Sequence, residues 1–218
     1  MKILCIGYRT WALSIYINLK KKFPDYKIKI IKKKKRLSFR SIKKFNPKLI
    51  LFYGWSWMVD EKIFKKYTSL MLHPSDLPKF RGGSPIQNQI INGVKKSAVT
   101  IFKINNILDG GPVFKKRKLI LTGGVNKIFN RIADIGTKLT IDIIQGKYKA
   151  YNQNLKNSII FKRRSPKESE ITLKEIKSKD GQYLLDKIKM LEDPYPNAFI
   201  KTKDNKKLII KVAELRKN

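Results

Sequence analysis

Lys2-Ile3-Leu4-Cys5-Ile6-Gly7 is an apolar run closed by glycine, and Leu49-Ile50-Leu51-Phe52-Tyr53-Gly54 repeats its form further along the chain. A short continuous apolar run ending at a turn residue reads as a strand buried on both faces, which places helices above and below it. Between the two runs, Thr10 to Lys21 reads as a helix, Tyr26 to Ile31 as a strand, and Ser38 to Phe45 as a short helix ahead of Pro47. The alternation continues with a helix over Met58 to Tyr67, a short strand over Ser69 to Leu72, and a helix over Pro85 to Asn92 closed by Gly93. Strands over Ala98 to Ile104 and Val113 to Leu121 then precede a helix from Gly124 to Gln145, ended by Gly146. This βαβα period predicts an α/β fold, a mainly parallel twisted sheet with helices on both faces. Ligands of such sheets bind beyond the carboxyl ends of the strands, here after Gly7, Gly54 and Leu72.

Past residue 150 the pattern becomes polar, with a helix over Gly181 to Leu191 and a hairpin of Ala198 to Thr202 with Lys207 to Val212. The expected organisation is a main domain over 1–150 and a short helix-and-hairpin extension over 151–218, with the hairpin available for a homodimer contact. A chain of 218 residues with 42% apolar content buries about 70% of its unfolded surface without a disulfide or structural metal. Cys5 stands alone, and the start of the chain shows no secretory pattern, so a cytoplasmic location is expected. No stretch is long and apolar enough to span a bilayer, so no membrane partner is expected.

The 50 Lys plus Arg against 16 Asp plus Glu give a net charge of +34. The excess is mostly Lys, runs from Lys2 to Lys217, and accompanies abundant Ile and Asn, as an A/T-biased coding sequence produces. Nucleic acid is therefore not the expected partner, although nucleotides and tRNA remain compatible with so basic a chain.

Several chemistries lack their residues. Gly7-Tyr8-Arg9-Thr10-Trp11-Ala12 has only the first glycine of a dinucleotide loop, and no phosphate-binding loop occurs. One His and one Cys, far apart, make no metal cluster. Gly54-Trp55-Ser56-Trp57 is too bulky for a nucleophile elbow.

Two segments stand out instead. His73 ends an apolar strand and is followed by Pro74-Ser75-Asp76-Leu77-Pro78-Lys79-Phe80-Arg81-Gly82-Gly83-Ser84-Pro85, and Leu108-Asp109-Gly110-Gly111-Pro112 is an acidic turn between strands. Each alone has an ordinary structural reading. Together with Pro85-Ile86-Gln87, Ile91-Asn92-Gly93 and Val99-Thr100-Ile101 in register, they resemble the catalytic domain of the folate-dependent formyltransferases. The likeness extends to Met1-Lys2-Ile3, Phe52-Tyr53-Gly54, Arg163-Arg164-Ser165-Pro166 and Asp193-Pro194-Tyr195-Pro196-Asn197-Ala198-Phe199.

The resemblance implies a Rossmann-like formyltransferase fold and transfer of a formyl group from 10-formyltetrahydrofolate, a cosubstrate, to an amine without a metal. It assigns His73 and Asp109 as catalytic: the imidazole takes the amine proton and the carboxylate orients it. It places the folate against Phe52, Tyr53, Gly54, Arg81, Gly82, Asn105, Ile107 and Leu108. Arg81 reads equally as a plain surface arginine, and Trp55 and Trp57 either stack on a flat ligand or pack in the core. Tyr8, Trp11, Arg163 and Arg164 are the candidates for holding the acceptor. One position departs from the family: its asparagine two residues before the histidine is Met71 here, and a thioether donates no hydrogen bond. Asn88, Gln87, Ser75 or a backbone amide could replace that donor, or the chain is slow or inactive. Since no C-terminal barrel fits in this length, the chain looks most like the N-formyltransferases of nucleotide-linked amino sugars used in surface glycans. A methionyl-tRNA formyltransferase-like enzyme and a catalytically impaired basic RNA-binding relative are the alternatives.

Overall fold

The computed structural model describes residues 1–156 and 158–216, so Asn157 and the last two residues of the expected extension lie outside the described residues. The chain runs β1 (Lys2–Ile6), α1 (Thr10–Lys22), β2 (Lys27–Ile31), α2 (Phe39–Phe45), β3 (Leu49–Tyr53), α3 (Glu61–Lys66), β4 (Ser69–His73) and β5 (Arg81–Gly82). It continues with α4 (Pro85–Ile91), β6 (Lys96–Lys103), β7 (Val113–Ile120), α5 (Val125–Ile144) and β8 (Ile160–Phe161). It closes with α6 (Leu173–Ser178), α7 (Gly181–Lys189), β9 (Ala198–Lys201) and β10 (Lys207–Ile210).

The central six-stranded sheet has the order β2-β1-β3-β4-β6-β7. β2, β1, β3 and β4 are parallel, while β6 joins β4 antiparallel and β7 joins β6 antiparallel. Side chains alternate between the faces. Ile3, Cys5, Leu49, Leu51 and Tyr53 enter the larger core with Ala12, Ile15, Tyr16 and Leu19 of α1 and Ile128, Ile132 and Leu139 of α5. Leu4, Ile6, Ile50 and Phe52 face the opposite core with Ile42 of α2 and Ile63 of α3.

Two residues fix where the carboxyl ends of β1 and β3 meet. A Cβ on Gly7 would stand 1.9 Å from the Tyr53 carbonyl oxygen, so only glycine permits that approach. The buried Tyr16 hydroxyl accepts from the Tyr53 N–H at 2.9 Å and lies 2.9 Å from the Ile6 carbonyl and 3.0 Å from that of Leu51, donating to one of them at a time. The lone glycine of the first turn thus serves sheet closure.

One expectation needs correction. The helix placed over Met58 to Tyr67 starts only at Glu61, because Asp60 caps it by accepting the Lys62 N–H at 2.9 Å. Residues 54–60 are thereby left as loop. Past residue 150, Ile171, Ile188, Met190, Leu191 and Ala198 join the larger core. The short parallel pair of β5 with β8, in register Arg81↔Ile160 and Gly82↔Phe161, was not foreseen, nor was α6.

Candidate active site

β4 points Met71 and His73 to the same face, two residues apart. The loop after His73 is tied down on three sides. Thr100 Oγ1 donates to the Ser75 carbonyl at 2.7 Å, Gln89 Nε2 to the Pro74 carbonyl at 2.8 Å, and Ser75 Oγ to the Lys79 carbonyl at 2.8 Å. The loop therefore returns with the Phe80 carbonyl 2.8 Å from Nε2 of His73. A carbonyl only accepts, so Nε2 carries the proton of that bond. Nδ1 then faces Oδ2 of Asp109 at 3.5 Å, with both side chains buried.

Asp109 sits at φ 46, in the left-handed region that aspartate tolerates better than most residues. Its Oδ2 accepts the Gly82 N–H at 2.8 Å, and Gln153 Nε2 donates to the carbonyls of both Asp109 (3.0 Å) and Gly111 (2.7 Å). Phe80 and Ser84 also have positive φ, so left-handed non-glycine residues gather around this centre.

These groups open on a cavity of about 640 Å³. Its walls include all three tryptophans of the chain, Trp11, Trp55 and Trp57, with Met58, Phe102 and Ile107. Gln87 lines it too, and its buried Nε2 has no hydrogen-bond partner among the described residues; the same holds for Nε1 of Trp55. Arg9, Lys162, Arg163 and Arg164 bring positive charge to the lining. Arg164 bonds to the Glu168 carbonyl at 3.0 Å, while Arg9 lies over the rings of Tyr8 and Tyr195.

Of the candidates, His73, Asp109, Gly54, Gly82, Asn105, Ile107, Leu108, Trp11, Arg163 and Arg164 line this cavity. Four candidates do not line it. Phe52 and Tyr53 are fully buried in the two cores, and Tyr53 turns its hydroxyl to Thr140. Tyr8 packs beside lining residues, its hydroxyl 2.6 Å from Ser56 Oγ and its ring against Trp57. Arg81 is neither at the surface nor facing the cavity: its guanidinium donates through Nε (2.7 Å) and a second nitrogen to the Leu108 carbonyl, and at 2.9 Å to Ser158 Oγ. Sequence reasoning missed Arg9, Lys162, Phe129 and Tyr195 as lining residues. Nothing local marks them, since long-range packing alone assembles them.

A buried imidazole paired with a carboxylate at the carboxyl ends of a parallel sheet is the layout of an α/β enzyme in which histidine handles a proton. The sequence model of the family described as Formyl transferase matches residues 20–144, and this chain belongs to that family. It is 31% identical over 183 residues to a methionyl-tRNA formyltransferase of Rickettsia massiliae, an alignment covering 79% of this chain and 57% of that protein. A solved structure of a methionyl-tRNA formyltransferase from Clostridium thermocellum shares 32% identity with a TM-score of 0.85, covering 96% of this chain and 97% of that one. A 4-N formyltransferase from Francisella tularensis matches with a TM-score of 0.76 at 17% identity, covering 100% and 98%, which is a likeness of fold. Among the described residues no cluster of metal-ligating groups occurs, and no helix is long and apolar enough to cross a membrane.

Proposed function

We propose that this chain transfers a formyl group from 10-formyltetrahydrofolate to the primary amine of a nucleotide-linked amino sugar. The observation that carries this reading is that the His73–Asp109 pair shares one 640 Å³ cavity with an apolar, tryptophan-lined wall and a set of cations. The aromatic wall suits a flat pterin. The folate is a substrate here, and it supplies the activated formyl group. Arg9, Lys162 and Arg163 form no ion pair with a described residue, which leaves them available to phosphate oxygens of the acceptor.

The residues act in sequence on the acceptor. His73 takes a proton from the attacking amine on Nδ1, the ring nitrogen left free while Nε2–H bonds the Phe80 carbonyl, and delivers one to the departing folate nitrogen. Asp109 faces the charge that the ring gains. The loop 105–109 and residues 160–164 line the cavity beside the centre.

A second acceptor, the aminoacyl end of a tRNA, is favoured by the identity to methionyl-tRNA formyltransferases. An absorbance assay of tetrahydrofolate release, run on a panel of nucleotide-linked amino sugars with initiator methionyl-tRNA beside them, separates the two. Release that depends on one amino sugar is the expected result. Release with the tRNA alone replaces the sugar reading, and no release with any acceptor removes the transferase reading.

A further inference from the structure

Formyl transfer drives negative charge onto the formyl oxygen as the amine attacks, and that charge needs a hydrogen-bond donor held in place beforehand. The sheet position beside His73 that faces the same way holds Met71, whose thioether donates nothing. Met71 instead packs against Phe52, Leu77, Phe102 and Val113. The donor must come from another element. Asn88 spends its amide on the Gly83 carbonyl at 2.8 Å and the Lys162 carbonyl at 3.4 Å. Ser75 gives its hydroxyl proton to Lys79, and Gln89 Nε2 donates to two carbonyls. Gln87 differs from all three.

We propose that the side-chain amide of Gln87 is the oxyanion donor of this enzyme, a catalytic residue standing in for the absent donor at position 71. The proposal rests on the formyl-transfer reading above. Gln87 is 4% exposed, lines the cavity, and has an Nε2 without a partner among the described residues. No hydrogen bond ties either end of this amide to a described residue, so rotation about the last side-chain bond, which exchanges Nε2 with Oε1, can present the donor to a ligand oxygen in the cavity. α4 carries Gln87 directly after β5, whose Gly82 N–H grips Asp109, so the amide and the His73–Asp109 pair ride on one connected frame. In the reaction the amine nitrogen forms a bond to the formyl carbon while the carbonyl π pair moves to oxygen, where Gln87 donates to it. The pair then returns, the bond from carbon to N10 of the folate breaks, and His73 passes the amine's proton to N10. Trp55 Nε1 is the competing donor, but its ring is wedged against Phe52, Tyr8 and Trp57 in the wall.

The test compares kcat of wild type, Gln87→Met, Met71→Asn, the double variant and Trp55→Phe, using 10-formyltetrahydrofolate and the acceptor that wild type uses. Binding of 5-formyltetrahydrofolate is followed by quenching of tryptophan emission. Gln87→Met is expected to lose about 100- to 1,000-fold in kcat, the cost of one such donor, with 5-formyltetrahydrofolate affinity within a few-fold. Adding Met71→Asn to Gln87→Met restores at least tenfold, which a merely misfolded variant would not show. Undiminished kcat in Gln87→Met, no recovery in the double variant, or a loss confined to Trp55→Phe overturns the assignment of Gln87 and leaves formyl transfer standing. A wild type that releases no tetrahydrofolate with any acceptor overturns both.

Discussion

Oδ2 of Asp109 is shared between two partners: it accepts the Gly82 N–H at 2.8 Å and stands 3.5 Å from Nδ1 of His73. The backbone amide orients the carboxylate, and the carboxylate then faces the imidazole. Asp109→Asn keeps the shape and removes the charge, so tetrahydrofolate release is expected to fall by about 100- to 10,000-fold, the usual span for disabling a general acid or base. His73→Ala is expected to abolish release, because the chain has no second histidine. Near-wild-type turnover in either variant, measured in the absorbance assay, would remove the site assignment.

Arg81 acts as a rivet between three distant segments. Its fork joins β5 to the Leu108 carbonyl, one residue before Asp109, and to Ser158. Arg81→Met leaves a buried carbonyl without its charged donor, at an expected cost of about 2 to 3 kcal/mol in urea unfolding. Activity should fall further than stability alone explains, since the turn that carries Asp109 loosens. Arg81→Lys should recover only part of either, because an ammonium cannot reproduce the planar fork. An unchanged unfolding midpoint in Arg81→Met would contradict this.

Tyr16 pins the ends of β1 and β3, and burial holds its hydroxyl well above the ordinary tyrosine value, so the group stays protonated. Tyr16→Phe leaves the Tyr53 N–H unpaired in the core and should cost about 1 to 3 kcal/mol. Gly7→Ala should cost more, because its methyl meets the Tyr53 carbonyl and the two strand ends must part. Thermal melts of the two variants test that order, and a milder effect for Gly7→Ala would refute it.

Glu175 gives the protein an acid-sensitive support. Burial pushes its carboxyl up, but the bonds from Lys187 (2.7 Å) and the Thr172 N–H (3.0 Å), with the Lys187 charge, outweigh that and hold it below its ordinary value of 4.5. A depressed folded-state value means stabilisation that is complete above the unfolded value and is lost as the pH falls beneath it. Glu175→Gln should therefore be less stable than wild type at neutral pH, with the gap closing below pH 4.5. A gap independent of pH, in urea titrations from pH 7 to pH 3, would argue against this role.

The sheet could be read from the sequence because its strands are continuous apolar runs ended by glycine, a pattern that needs no tertiary information. His73 and Asp109 could be singled out as candidates because one ends a strand, the other lies in a glycine turn after one, and the segments around them together resemble a known family. What could not be read depends on distant contacts. Arg81 looks like a surface cation until Leu108 and Ser158 are brought to it. Phe52 and Tyr53 lie in the right strand, but that strand is buried on both faces and the lining begins only at Gly54. The loop 54–60 was hidden by Asp60, whose cap cuts short a helix that the apolar pattern would have extended. The unpaired amide of Gln87 shows only when its neighbours' bonds are counted in three dimensions.

The pairing of β5 with β8 also sets an order in time. On the ribosome the amino-terminal strands emerge first, and synthesis proceeds at about 5 to 20 residues per second. His73 and Asp109 are exposed well before Ile160 and Phe161, which clamp β5 in register, and before Ser158, which completes the Arg81 fork. A growing chain can therefore assemble its sheet several seconds before it can hold the Asp109 turn in place, so the nascent polypeptide carries His73 and Asp109 before the contacts that fix them to each other exist.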